Sequence, residues 1–196
     1  MTTYVELLHR AANYTLSAID TVTPDRLSRP TPCKQWNLHM LLSHIGESVA
    51  AFEESRVCGH VALFAAQRTT ATDPTDSLRD RLTRLMDGWS AASDDRYIAV
   101  ADHRLPLSTI AATAALEIAV HGWDIVQASG RGQPIPADLA AELLRISTQL
   151  ITDDNRHRLF APPVHTSVPG PGAELIAFLG RRPDGGSLHP TGKVQR

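Results

Sequence analysis

Glu117 and His121 are the residues of this chain best placed, by type and spacing, to do chemistry. Four positions apart on a helix, two side chains leave on nearly one face, offset by ~40° around the axis, so a carboxylate and an imidazole there can grip one ion. Both lie on or beside an apolar stripe formed by Leu107, Ile110, Ala114, Ile118, His121, Ile125 and Ala128, the pattern of a helix face turned toward a core. A carboxylate pushed toward an apolar interior is costly unless something neutralises it. A divalent metal would do so, with His44 on another helix as the candidate third ligand. Histidine plus carboxylate suits zinc, nickel, iron or manganese. A set of two histidines and one glutamate leaves a fourth position open for water or a substrate atom, and a thiol bound there would lose its proton and become a nucleophile. The plainer alternative is a helical Glu–His pair bonded to each other or to solvent, because that spacing arises often by chance.

Other residues carry weaker signals. Asp124, three after His121, is placed either to hydrogen-bond a ligand histidine or to pair with a neighbouring helix or solvent. Cys33, shortly before a helix start, is either a reactive thiol or a buried structural cysteine; Cys58 has no special context. His103 lies in the loop before the fourth helix, within reach of the bundle mouth, and His165 lies in a proline-rich strap that folds over a bundle end. His39 is ~140° from His44 around its helix and is excluded from sharing the ion. Trp36 and Trp123 read as packing residues, and His9, His60, His157 and His189 as surface or loop residues.

These side chains need helices to hold them. The first helix is expected over Tyr4–Val22, with Tyr4, Leu8, Ala11, Thr15, Ala18 and Val22 on its inner face and Leu7 and Ile19 widening it, broken by Thr23-Pro24-Asp25. Asn37 reads as the N-cap of a second helix whose buried face is Leu38, Leu41, Leu42, Ile45, Val49 and Phe52, with His44 at its edge. Residues 59–72 are weakly patterned, room for a short extra helix or the long crossover of a bundle. Asp73-Pro74 starts a third helix, ended by Ser93-Asp94-Asp95. Arg96–Leu105 suggests a small extended turn. Leu107–Ser129 is the fourth helix, stopped by Gly130-Arg131-Gly132. Pro136 opens a fifth, Phe160–Gly172 is a proline-rich strap, Ala173–Leu179 is a last short helix capped by Gly180, and 184–196 is a polar, disordered tail. The organisation expected is one all-α domain over 1–183 plus that tail.

Composition bounds the partners. The 196 residues suffice for one domain with a core. A net charge of −2 without a basic stretch argues against nucleic acid. No window approaches the ~20 apolar residues of a membrane span, and MTTYVELLHR is no signal peptide. The expected location is the cytoplasm, with both thiols reduced.

Five segments then carry a resemblance: TPCKQW (Thr31–Trp36), LLSHI around His44, EIAVHGWDI around Glu117 and His121, LFAPPV, and LIAFLGR near the C-terminus. Together they resemble the actinobacterial DinB-like metal-binding proteins similar to the N-terminal domain of mycothiol-dependent maleylpyruvate isomerase. The likeness runs from about Leu7 to Arg182. It implies a DinB-like four-helix bundle with additional C-terminal helices, holding a divalent metal, zinc or nickel, on His44, Glu117 and His121. It also implies thiol chemistry: a transferase or isomerase joining mycothiol, or a similar low-molecular-weight thiol, to a small electrophilic substrate. The isomerase carries a further C-terminal domain, whereas this chain stops after LGRRP and a short tail, so activity on maleylpyruvate itself is not expected. A homodimer is open. So are two rival readings: a non-catalytic metal-binding or sensing module, and a scaffold in which Glu117 and His121 merely pair.

Overall fold

The computed structural model describes residues 3–61, 73–90, 97–100 and 103–184. Its helices are α1 (Tyr4–Ile19), α2 (Leu38–Cys58), α3 (Pro74–Trp89), α4 (Leu107–Ser129), α5 (Ala137–Leu150), α6 (Asp153–Leu159) and α7 (Pro171–Phe178). Helices α1 to α4 form the bundle: α4 packs against α1 and α2, and α3 closes the ring by packing against the same two. The connection from α1 to α2 is longer than the one from α2 to α3. Helix α5 lies on α4 and α1, and α7 lies on α5. The fold is all-α and DinB-like, with the C-terminal helices added to the four-helix bundle.

The helix starts follow from local chemistry. Asn37 accepts a hydrogen bond from the Met40 amide at 2.9 Å, and Asp73 accepts one from the Thr75 amide at 2.8 Å with Pro74 at the first helical position. Each side chain satisfies an amide that lacks a partner inside its helix. Gly130, at φ +66°, ends α4. The expected inner faces are largely inner: Leu8, Ala11, Thr15 and Ala18 on α1 and Leu38, Leu41, Leu42, Ile45 and Val49 on α2 are buried, whereas Phe52 and Val22 are only partly buried and Tyr4, in the first turn of α1, is exposed.

Helix α4 is the axis of the molecule. Its sequence, rich in alanine and β-branched residues, is buried on almost every side. Contrary to the expectation that no window approaches a membrane span, by length and composition this helix could cross a membrane, with mean hydropathy 1.2 in its most apolar window of 18 residues, yet 83% of that window is buried inside the protein. A helix surrounded by other helices has the same composition as one surrounded by lipid. Close approach to α1 is what Gly122 provides. A Cβ there would stand 2.4 Å from Thr15 Oγ1 and 3.0 Å from Tyr14 Cε1. Thr15 Oγ1 uses the gap to donate to the Ile118 carbonyl at 2.8 Å.

Several boundaries and elements differ from expectation. Helix α1 stops at Ile19, not Val22: Asp20 caps it and Thr21 donates its hydroxyl to the Ala18 carbonyl, competing with the helical ladder. The extended turn is larger than expected. Strands β1 (His60–Val61), β2 (Tyr97–Val100) and β3 (His103–Pro106) form a three-stranded sheet in that order. β1 runs parallel and β3 antiparallel to β2, and Ile98 is sunk in the core. Helix α6 has no counterpart in the sequence reading, because seven mostly charged residues offer no apolar period; its start is held by Asn155, which accepts from the Thr152 amide at 2.9 Å. The last helix begins at Pro171 and ends at Phe178. Helix α3 ends at Trp89 with Ser90 as its cap, ahead of the expected stop at Ser93-Asp94-Asp95; that segment, the expected crossover over 62–72 and the tail from residue 185 lie outside the described residues.

Candidate metal centre

Helix α2 supplies His44 and α4 supplies Glu117 and His121. His44 Nε2 lies 3.0 Å from Glu117 Oε1, and His121 Nε2 lies 3.3 Å from the same oxygen. The two imidazole centroids are 5.1 Å apart with rings nearly perpendicular, well inside the 8 Å or so beyond which three ligands bonded at roughly 2 Å could not share an ion. The ligand atoms of all three residues fall within 4.8 Å of one another. Ligands about 2.0–2.1 Å from a tetrahedral ion stand about 3.3 Å from each other, so the two His–Glu separations suit that geometry. Side-chain exposure is 33% at His44, 27% at Glu117 and 8% at His121, so the group opens to solvent on the His44 side and is closed behind His121.

Charge within the site follows from burial and pairing. Burial alone would raise the Glu117 carboxyl, but hydrogen bonds with His121 and His44 outweigh it and hold the group far below the usual carboxylate range. Burial would lower His121, but its bonds to Asp124, Cys33 and Glu117 raise it well above the usual histidine value. Asp124 is fully buried, which would raise it, yet the Arg181 charge and the His121 bond keep it lowered. An ionised carboxylate only accepts. Both histidines therefore donate from Nε2 to Glu117, and His121 donates from Nδ1 to Asp124 Oδ2 at 2.8 Å. Ser48, one turn after His44, adds a hydroxyl at 3.3 Å. If the two Nε2 protons leave, two nitrogen lone pairs and one carboxylate face a common point, which is a donor set that fits a divalent ion.

A second ring of residues holds the first. Arg181 grips Asp124 with both edges of its guanidinium, Nε to Oδ1 and Nη2 to Oδ2, each at 2.9 Å. The segment Thr31–Trp36 folds back on itself. Pro30 and Asn37 form a bridge, the Thr31 amide donates to the Trp36 carbonyl, and Gln35 takes φ +69°. That loop sets the Trp36 ring 4.6 Å from the His44 ring and places Cys33 Sγ 3.3 Å from Asp124 Oδ2. Cys33, His121 and Asp124 also bring ligand atoms within 4.8 Å. Arg181, however, already sets its positive charge on Asp124 and lies 3.7 Å from Cys33 Sγ, so a cation there would meet like charge. The His44 side is the better ion site.

The structure thus gathers His44, Glu117 and His121, and Asp124 both accepts a hydrogen bond from His121 and pairs with Arg181. Cys33 is half-buried inside the network, while Cys58 is exposed. Trp36 does pack, but against the site's histidines, and Trp123 is buried. His103 is exposed on β3, and His39, His60, His157 and His165 are exposed elsewhere; none of these joins the site. His189 lies outside the described residues. His9 corrects a reading: it is half-buried, with Nε2 3.0 Å from the Met86 carbonyl oxygen. Arg181 was missed as a site residue. Its only sequence signal was membership of the LGR run, which by itself says nothing of a carboxylate 57 residues earlier.

A family model for the mycothiol maleylpyruvate isomerase N-terminal domain matches residues 8–126. The chain belongs to this family. Two curated relatives, uncharacterised proteins from two strains of Mycobacterium tuberculosis, are each 25% identical over 187 residues, covering 88% of this chain and 94% of the relative. A crystal structure of the mycothiol-dependent maleylpyruvate isomerase superposes with a TM-score of 0.61 at 16% identity, over 81% of this chain and 75% of that one. At that identity the likeness is one of fold. The family region takes in α2 and most of α4, and so all three of the gathered residues, and it ends within α4.

Proposed function

We propose that this member of the family binds one divalent ion, zinc or nickel, on His44, Glu117 and His121, and uses it to join a low-molecular-weight thiol such as mycothiol to a small electrophile, by conjugation or by addition that leads to isomerisation. One observation carries the reading: three ligand atoms from two helices converge at an opening to solvent. The ion, when bound, supplies Lewis acidity that lowers the pKa of a thiol at the open position.

The chain's own residues do the rest. Glu117 contributes the anionic oxygen that offsets the ion's charge, beside His44, His121 and Ser48. His121 is held in one orientation by the bond from its Nδ1–H to Asp124, which leaves Nε2 as the ligand atom. Trp36 walls one side of the opening, limiting water beside His44 and offering an apolar face to a bound molecule. Metal analysis of untagged protein, followed by conjugation of mycothiol to a model electrophile with and without chelator, tests the proposal. Conjugation that is unchanged after metal removal would eliminate it.

A non-catalytic metal-binding module is the second reading. It is favoured by the mutual pairing of His44, Glu117, His121, Asp124, Arg181 and Cys33, all taken up in one internal network. Tight ion binding with no turnover across a panel of thiols and electrophiles would select it.

A further inference from the structure

Arg181 lies beyond the residues matched by the family model, yet it closes the buried end of the site. Its fork contacts both oxygens of Asp124, and Asp124 Oδ2 in turn accepts from His121 Nδ1. A carboxylate gripped along its edge by a planar guanidinium has little freedom to rotate. The plane of Asp124 therefore fixes the direction of the hydrogen bond that orients the His121 ring.

The backbone is shaped to deliver that guanidinium. Gly180 sits at φ +78°, and a Cβ there would stand 2.8 Å from both the Cβ and the carbonyl oxygen of Ala161. Glycine lets the end of α7 pass the proline-rich strap at this distance. The Gly180 and Arg181 amides then donate to the Ala177 and Ile176 carbonyls, which turns the chain and aims Arg181 inward.

We infer that Arg181 is a positioning residue for the ligand His121, acting through Asp124, so that the C-terminal segment is a working part of the ion site. This rests on the reading of His44, Glu117 and His121 as that site. Coupling of this kind is reciprocal: docking of the segment tightens ion binding, and ion binding tightens docking.

The test titrates nickel(II) into chelator-stripped full-length protein and into Arg181→Ala by calorimetry, with amide hydrogen exchange followed over residues 160–181. Loss of a partner that orients a ligand histidine weakens metal binding by roughly 10- to 100-fold, and that drop is expected for Arg181→Ala. Arg181→Lys should bind with intermediate affinity, and added guanidinium ion should restore part of the loss in Arg181→Ala. Nickel should slow exchange over 160–181 in the wild type and not in His121→Ala. A folded Arg181→Ala that binds nickel as tightly as wild type overturns the inference and leaves the site intact. If Arg181→Ala does not fold, Arg181→Lys decides: wild-type affinity there overturns it, because an ammonium cannot make the two-edged contact. No nickel uptake by the wild type overturns the site itself, and the inference with it.

Discussion

His44 Nε2 stands 3.0 Å from Glu117 Oε1 across 73 residues of sequence, at the line where α2 packs on α4. The contact joins the two helices at a point where one presents an imidazole and the other a carboxylate to the same opening. Helix packing, rather than a local motif, makes this a site.

Removal of either partner should abolish ion binding. Purified wild type is expected to carry about one divalent ion per chain, and His44→Ala or Glu117→Ala essentially none, with affinity reduced by more than about 100-fold, beyond the effect of losing a supporting residue. Elemental analysis of untagged protein reads this directly. Glu117→Ala with full metal content would place any ion elsewhere.

The metal-free protein should lose stability on both sides of neutrality. The Glu117 carboxyl is depressed below 4.5, so its contribution is present above that value and is lost as pH falls through the lower folded one. His121 is raised above 6.5, so its contribution is whole below 6.5 and is lost as pH rises through the higher folded one. Ion binding must displace the His121 Nε2 proton, so affinity should weaken as pH drops from about 8 to about 6. Melting curves across pH, with calorimetric proton release on ion addition, measure both effects. Ion affinity that ignores pH would exclude His121 as a ligand.

Gly122→Ala should destabilise the fold by about 1–3 kcal/mol, the usual cost of overpacking a tight contact. The added Cβ would meet Thr15 Oγ1 at 2.4 Å, and that hydroxyl is tied to the Ile118 carbonyl. Urea denaturation gives the difference. A second change, Thr15→Ala, should be less harmful in the Gly122→Ala background than alone, since it removes the clashing atom; equal costs in both backgrounds would show that the contact is not the cause.

Nickel should quench tryptophan fluorescence through Trp36, whose ring lies 4.6 Å from that of His44. Trp36→Phe is expected to remove most of the ion-dependent change while Trp89 and Trp123 continue to emit. An undiminished change in Trp36→Phe would mean that the ion sits away from His44.

Much of this molecule was written locally. The stripe on α4, the caps at Asn37 and Asp73 and the stop at Gly130 depend on residues a few positions apart, so period and capping chemistry reveal them. The pairing of Glu117 with His121 is of the same kind, since helical geometry alone stacks positions four apart. His44 was legible as a helix-edge histidine and became a candidate ligand through that placement and the family resemblance. Its distance from Glu117 was not legible, because it depends on how α2 sits on α4. Asp124 was legible as a neighbour of His121, but its fully buried state and its arginine were not.

The remainder belongs to tertiary structure. Strands β1, β2 and β3 are two to four residues long, too short for alternation to show, and β1 pairs with a strand 39 positions later, His60 with Ala99. Arg181 reaches Asp124 only because α7 docks on α5, Gly180 turns beside Ala161, and a buried carboxylate needs a charge to offset its desolvation. The sequence by itself determined the helices other than α6 and the face on which Glu117 and His121 lie, because those are consequences of a repeat of 3.6 residues. Only the packed chain decided that His44, Trp36, Cys33 and Arg181 gather around that face, because contacts between distant segments are fixed by the joint burial of all the helices and by no spacing along the chain.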